Sequence, residues 1–287
     1  MLPSAPSTRL TPDLRLRLQR IAHVALDMDG TIYQGNTLFP FTLPFLHRMK
    51  RLGIGTSFLT NNPSKSTNDY LAHLAKMGIT ATREELHTST QATIDCLRTR
   101  HPEARRLFLL GTPSMIGEFT QAGYVSVTDD PRDVPDAVIV GFDLTLTYAR
   151  LCRAAWWIQT GKPYLATNPD RVCPTDQPTV LVDCGSLVAA LTHATGRSPD
   201  VVLGKPDPTM LSGLVQRKGL DTAQIAMVGD RIYTDILMAQ RAHAFGVLVL
   251  SGETTAAVAA QAARPPDLTL PSLHEFGELL EQARHDS

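Results

Sequence analysis

The sequence predicts an α/β fold, on three observations. Apolar runs of strand length alternate with stretches at helical spacing along most of the chain. The 287 residues are long for one compact α/β domain and comfortable for a core plus a second domain. The composition, 43% hydrophobic and 19% charged with no low-complexity tract, is that of an ordinary globular protein.

The elements follow in order. The opening segment, MLPSAPSTRLTPDLRLRLQR, has arginines but no continuous apolar stretch after them, so it reads as a tail leading into a short helix and not as a signal peptide. The first strand spans 23–29 (HVALDMD), followed by a helix over 42–51, a strand over 55–61 (GTSFLTN) and helices over 67–76 and 90–99. Pro102 marks a break. A second series runs strand 106–110, helix 114–122, strand 137–142, helix 148–159 and strand 164–167. A polar loop, NPDRVCPTDQP, and a helix over 186–194 follow. The third series is strand 201–203, helix 209–217, strand 224–228, helix 234–242 and strand 246–250. Such alternation argues for mostly parallel sheets covered by helices, as one large sheet or as two. His101–Pro102 and the stretch GRSP at 196–199 are the turn-rich places for a hinge.

Charge and cysteine usage narrow the classes. A net charge of −1 gives no basic field to attract nucleic acid or a membrane surface, and no apolar run approaches bilayer length. Cys96, Cys152, Cys173 and Cys184 form no C-x-x-C pair and read as reduced thiols of a cytoplasmic protein. The nine histidines show no zinc-binding spacing. Of Trp156 and Trp157, one ring is expected in the core, while the other could face an interface.

Four elements carry chemistry, each closing an apolar run or lying just beyond one. Asp27-Met28-Asp29-Gly30-Thr31 is the strongest. Residues two apart on a strand point to one side, so two carboxylates meet, and a divalent cation relieves their repulsion. Asp-Gly is also a common turn pair. Thr60-Asn61-Asn62 offers a hydroxyl and amides suited to a phosphate oxygen, or simply a loop that begins a helix. Gly204-Lys205-Pro206 holds a lysine between a glycine and a proline, although a loop lysine is usually only exposed. Val228-Gly229-Asp230, followed by Asp235, could complete a magnesium site with Asp27 or cap the next helix.

Together these motifs resemble the haloacid dehalogenase-like phosphohydrolases, within the subfamily that includes p-nitrophenyl phosphatase-like, phosphoglycolate phosphatase-like and nucleotide phosphatase-like members. The resemblance covers about residues 23–255. It rests on DxDGTIY at 27–33, TNN-x-S-K-S at 60–66, GKP at 204–206, VGDR-x-x-TDI at 228–236, VGFD-x-x-x-TY at 140–148, ATNPD at 166–170 and CGSL at 184–187.

It implies a Rossmann-like parallel-sheet core, residues 1–102 and 200–287, with an α/β cap inserted at 103–199. It implies a Mg2+-dependent phosphatase acting on a small phosphorylated metabolite, with Asp27 as nucleophile and Asp29 as proton shuttle. The metal ligands would be Asp27, the Asp29 carbonyl and Asp230, with Asp235 orienting Lys205 or a metal-bound water. Thr60, Asn61 and Lys205 would hold the phosphate. Asn168, Asp170, Arg171 and Cys173 become candidates for reading the leaving group. Relatives dimerise through the cap, so a homodimer is a further implication. Two alternatives stay open: a phosphotransferase using the same aspartyl-phosphate, or a non-catalytic protein that binds a phosphorylated ligand. The chain departs from the glycine-rich approach to the GSL element common in the subfamily, reading Val180-Leu-Val-Asp-Cys184 instead.

Overall fold

The computed structural model describes residues 10–173 and 178–285. The first nine residues and four residues of the NPDRVCPTDQP loop lie outside it. The chain forms two compact units, one from the segments up to Leu59, 77–79 and Leu211 onward, the other from 60–76 and 80–210.

In the first unit a parallel sheet runs in the order Leu268–Leu270, Phe245–Val249, Ile225–Gly229, His23–Asp27, Gly55–Thr60. All five residues of His23–Asp27 are buried, as a parallel strand covered on both faces requires. His23 is in register with both Ile225 and Gly55, and Asp27 with Leu59. The order makes His23–Asp27 the strand from which the chain departs first to one side and later to the other. Open α/β sheets bind ligands at the carboxyl end of such a switch point. Helices Thr42–Arg51 and Leu273–His285 pack together through stacked Phe45 and Phe276 and an Arg48–Glu281 ion pair.

The second unit has its own parallel sheet, in the order Val201–Val202, Tyr164–Ala166, Ala137–Val140, Arg106–Leu110, Val125–Ser126. Period-2 alternation sends Phe108, Leu110, Val138 and Val140 into one core with Trp157, Ile158 and Leu191. The intervening Leu107, Leu109 and Ile139 join a second core with Ile94, Met115 and Phe119. Trp157 is buried, and its neighbour Trp156 is half exposed. An antiparallel hairpin pairs Val172–Cys173 with Leu181–Val182.

The α/β class and parallel sheets agree with the expectation. Three local differences have physical reasons. The first strand ends at Asp27, not Asp29, because the chain turns at Gly30, and Asp29 makes only an isolated bridge to Tyr33. The helix expected from residue 234 begins as a π-helical segment, Ile232–Ile236, before regular helix Leu237–Ala242. The last strand, Leu268–Leu270, is too short to carry a period, whereas helix Leu273–His285 places Leu273, Phe276, Leu279, Leu280 and Ala283 at helical spacing, a signal that sequence reasoning missed. Among the described residues no helix is long and apolar enough to cross a membrane.

Candidate active site

The sheet of the first unit gathers three carboxylates. Asp27 ends strand His23–Asp27, and Asp230 follows the adjacent strand Ile225–Gly229. Asp235 sits in the π-helical segment that begins two residues after Asp230. All three are buried, and one carboxylate oxygen of each lies within 4.8 Å of the other two. Burial, then Asp27 and Asp235 as like-charged neighbours, push the Asp230 carboxyl up to about 8. Its Oδ1 is buried with no hydrogen-bond partner. Crowded, desolvated carboxylates with an acceptor left open fit a hard divalent cation, whose charge removes the repulsion that burial has intensified.

The local backbone is built around this cluster. Gly30 has φ +86°, and a Cβ there would stand 2.5 Å from Asp230 Oδ2, so glycine is required both for the turn and for the approach. Thr31 Oγ1 donates to Asp27 Oδ2 at 3.3 Å. The Glu253 amide donates to Asp230 Oδ2 at 2.6 Å, and Ser251 Oγ donates to the Gly30 carbonyl at 2.7 Å. The Glu253 carboxylate pairs with Arg231 and accepts from Tyr233. Sequence reasoning missed this 251–254 loop. It follows the next strand of the same sheet, and the strand-end rule that singled out Asp27 and Asp230 points to it too.

The second unit assembles a different set. Asn61 Oδ1 accepts from the Lys205 amide at 2.6 Å, and Asn61 Nδ2 donates to the Lys205 carbonyl at 2.8 Å. A side-chain amide thus pairs both ways with one residue's backbone, fixing the Gly204–Pro206 turn against the Thr60-Asn61-Asn62 loop. Gly204 has φ +72°, and a Cβ there would meet Asn61 Oδ1 at 2.6 Å. Thr60, Asn61 and Lys205 are all buried. Thr60 Oγ1 accepts from the Asn62 amide, and Ser89 Oγ donates to the Asn61 carbonyl.

The four candidates for reading a leaving group divide. Asn168 is fully buried and bonded to Thr167, Asp170 and Asp183, so its side chain frames the loop. Cys173 Sγ accepts from Asn62 Nδ2 at 3.4 Å. Arg171 is exposed, while its carbonyl accepts from the Asp183 amide and Ser186 Oγ.

Comparison with known proteins agrees with this architecture. Family models described as haloacid dehalogenase-like hydrolase and HAD-hydrolase-like match residues 24–125 and 202–276. The D-glycerol 3-phosphate phosphatase of Mycobacterium tuberculosis is 35% identical over 89% of this chain and 71% of its own length. The acid sugar phosphatase of Staphylococcus saprophyticus is 30% identical over 90% and 97%. Among solved structures, the 4-nitrophenylphosphatase of Thermotoga maritima superposes with a TM-score of 0.86 at 37% identity, covering 91% of this chain and 98% of its own. The M. tuberculosis glycerol phosphate phosphatase in complex with magnesium gives a TM-score of 0.83 at 31% identity, over 92% and 79%. The chain belongs to the haloacid dehalogenase-like hydrolases. Within that family it is an enzyme of the phosphoric monoester hydrolase class.

Proposed function

We propose that this enzyme is a Mg2+-dependent phosphatase that hydrolyses small phosphomonoesters through an aspartyl-phosphate. The observation that carries the reading is the buried trio Asp27, Asp230 and Asp235, with Asp230 raised and partly unpartnered. Asp27 Oδ attacks phosphorus as the ester P–O bond breaks, and Asp29 gives its proton to the departing alkoxide. Asp29 then takes a proton from the water that attacks the aspartyl-phosphate, releasing orthophosphate and restoring Asp27. Thr60, the Asn61 amide and Lys205 hold the non-bridging oxygens throughout. Asp27, the Asp29 carbonyl and Asp230 would hold the metal, with Asp235 orienting its surroundings. When bound, the ion supplies positive charge against the phosphoryl oxygens and the crowded carboxylates.

In this reading the segment 103–199 is a cap inserted into a core of residues 1–102 and 200–287. Asp170, Arg171 and Cys173, leading into and along the strand Val172–Cys173, read the leaving group against the frame that Asn168 builds. The substrate is a small phosphorylated metabolite of the cytoplasm, and polyol and sugar phosphates lead the candidates because relatives are named for them. Nucleic acid and membrane have no part in the reading. The half-exposed Trp156 and exposed Tyr148, on one helix of the cap, support a homodimer through that surface.

The test is phosphate release from aryl, polyol, sugar, nucleotide and small-acid phosphates, with Mg2+ and with EDTA. Mg2+-dependent release, highest on a polyol or sugar ester, is expected. Release unaffected by EDTA would overturn the metal-dependent reading, and transfer to an added alcohol in place of release to water would make the enzyme a phosphotransferase.

A further inference from the structure

Glu118 is an anomaly in the second unit. It lies on helix Pro113–Gln121, whose start is capped by Thr112, and only 4% of its surface is exposed. Glutamate is almost never buried to this degree without a partner. One of its oxygens has a partner distant in sequence, Glu118 Oε1 accepting from the Thr67 N–H at 2.6 Å, while Oε2 is buried with none. Thr67 is the first residue of helix Thr67–Lys76 and is itself buried.

That helix already caps itself locally. Ser66 Oγ accepts from the Asp69 amide at 3.1 Å, and Asp69 Oδ2 accepts from the Ser66 amide at 3.0 Å, a reciprocal capping box. A capping box leaves the first-turn amide of Thr67 to find another acceptor. Glu118 supplies it, and brings negative charge to the positive end of the helix dipole. The same neighbourhood holds the preceding loop at further points. Thr112 Oγ1 donates to the Ser64 carbonyl at 3.2 Å, Ser114 Oγ to Asp69 Oδ2 at 3.2 Å, and Tyr70 OH to the Asn62 carbonyl at 2.8 Å. The loop residues so held, Asn62 and Ser64, directly follow Thr60 and Asn61.

We infer that Glu118 is a positioning residue for the phosphate-gripping loop: by capping helix Thr67–Lys76 at Thr67, it fixes the orientation in which the loop presents the Thr60 hydroxyl and Asn61 amide. The inference rests on the reading above that Thr60 and Asn61 hold the phosphate. Glu118 touches neither substrate nor reacting atoms in this account. Its effect passes through backbone geometry, so it falls on phosphate binding more than on the chemical step.

The test compares Glu118→Ala, Glu118→Asp and Glu118→Gln with Ile158→Val, a conservative core variant of the same unit. The readouts are kcat and KM for p-nitrophenyl phosphate, inhibition by orthophosphate, and amide exchange of the peptide covering 61–67. Glu118→Ala should raise KM and the orthophosphate inhibition constant roughly tenfold, with kcat changed less than about threefold. Glu118→Gln keeps a carbonyl oxygen to accept the Thr67 N–H and should restore both constants to within about twofold of wild type. Glu118→Asp, one methylene short, serves if the alanine variant does not fold, and should speed exchange of the 61–67 peptide. Wild-type constants and exchange in folded Glu118→Asp, or equal shifts in Ile158→Val, overturn the positioning role. A wild type that neither releases phosphate nor is inhibited by orthophosphate overturns the underlying reading instead.

Discussion

Two buried polar clusters, one in each unit, are satisfied to different degrees. In the first, Asp27, Asp230 and Asp235 bring like charges within 4.8 Å, and Asp230 keeps an oxygen without a partner. In the second, Asn61 and Lys205 close a two-way pair and Ser89 takes the Asn61 carbonyl. An arrangement under electrostatic tension suits a place where outside charge must arrive. An arrangement whose donors and acceptors satisfy one another suits a frame whose geometry must not change. Net charge shows neither, because −1 is a sum over the whole surface.

Substitutions can break this contrast, and the largest expected effect is at Asp27. Asp27→Asn should lower kcat by about 10⁴-fold or more while leaving the circular dichroism spectrum unchanged, since the amide fills the same volume but cannot attack phosphorus. Near-wild-type turnover would remove Asp27 from the mechanism.

Asp230→Asn should cost roughly 10²-fold or more in activity at low Mg2+, yet stabilise the protein in EDTA, because it deletes one of three crowded charges. The pH dependence has a definite sign. With its folded pKa raised from 3.8 to about 8, Asp230 keeps a proton that the unfolded chain releases. Its contribution to stability is therefore complete below about pH 4 and is lost as pH rises through about 8. Thermal melts in EDTA should show the Tm gap between variant and wild type widening from pH 4 to pH 8. A constant gap would mean that the tension at Asp230 is not electrostatic.

Asn61→Ala acts on the other side of the comparison. It leaves the buried Lys205 amide without its acceptor, so a loss of about 1–3 kcal/mol in unfolding free energy is expected, together with a raised KM. Unlike Asp230→Asn, it should not gain stability at any pH. The smallest effects fall on Arg171 and Cys173, at the strand Val172–Cys173. Arg171→Ala and Cys173→Ser should change activity on p-nitrophenyl phosphate by less than about threefold, while reordering the preference among sugar and polyol phosphates. An unchanged order would mean that these residues do not read the leaving group.

The sequence alone determined the alternation of strands and helices, the parallel character of the sheets, and the four polar motifs at or just beyond apolar runs, because period and strand-end chemistry are local properties. The resemblance carried by Asp27–Tyr33, Thr60–Ser66, Gly204–Pro206 and Val228–Ile236 supplied the family. Only the tertiary structure decided that the strand stops at Asp27 and that Asp235 joins Asp27 and Asp230 within one cluster. Only it showed Asn168 as a buried frame, the 251–254 loop as a support for Asp230, and Glu118 as the acceptor for Thr67. The reason is common to all of these. Each depends on which backbone amide or carboxylate comes within about 3–5 Å of another from a distant part of the chain, and no periodicity or spacing encodes such a meeting.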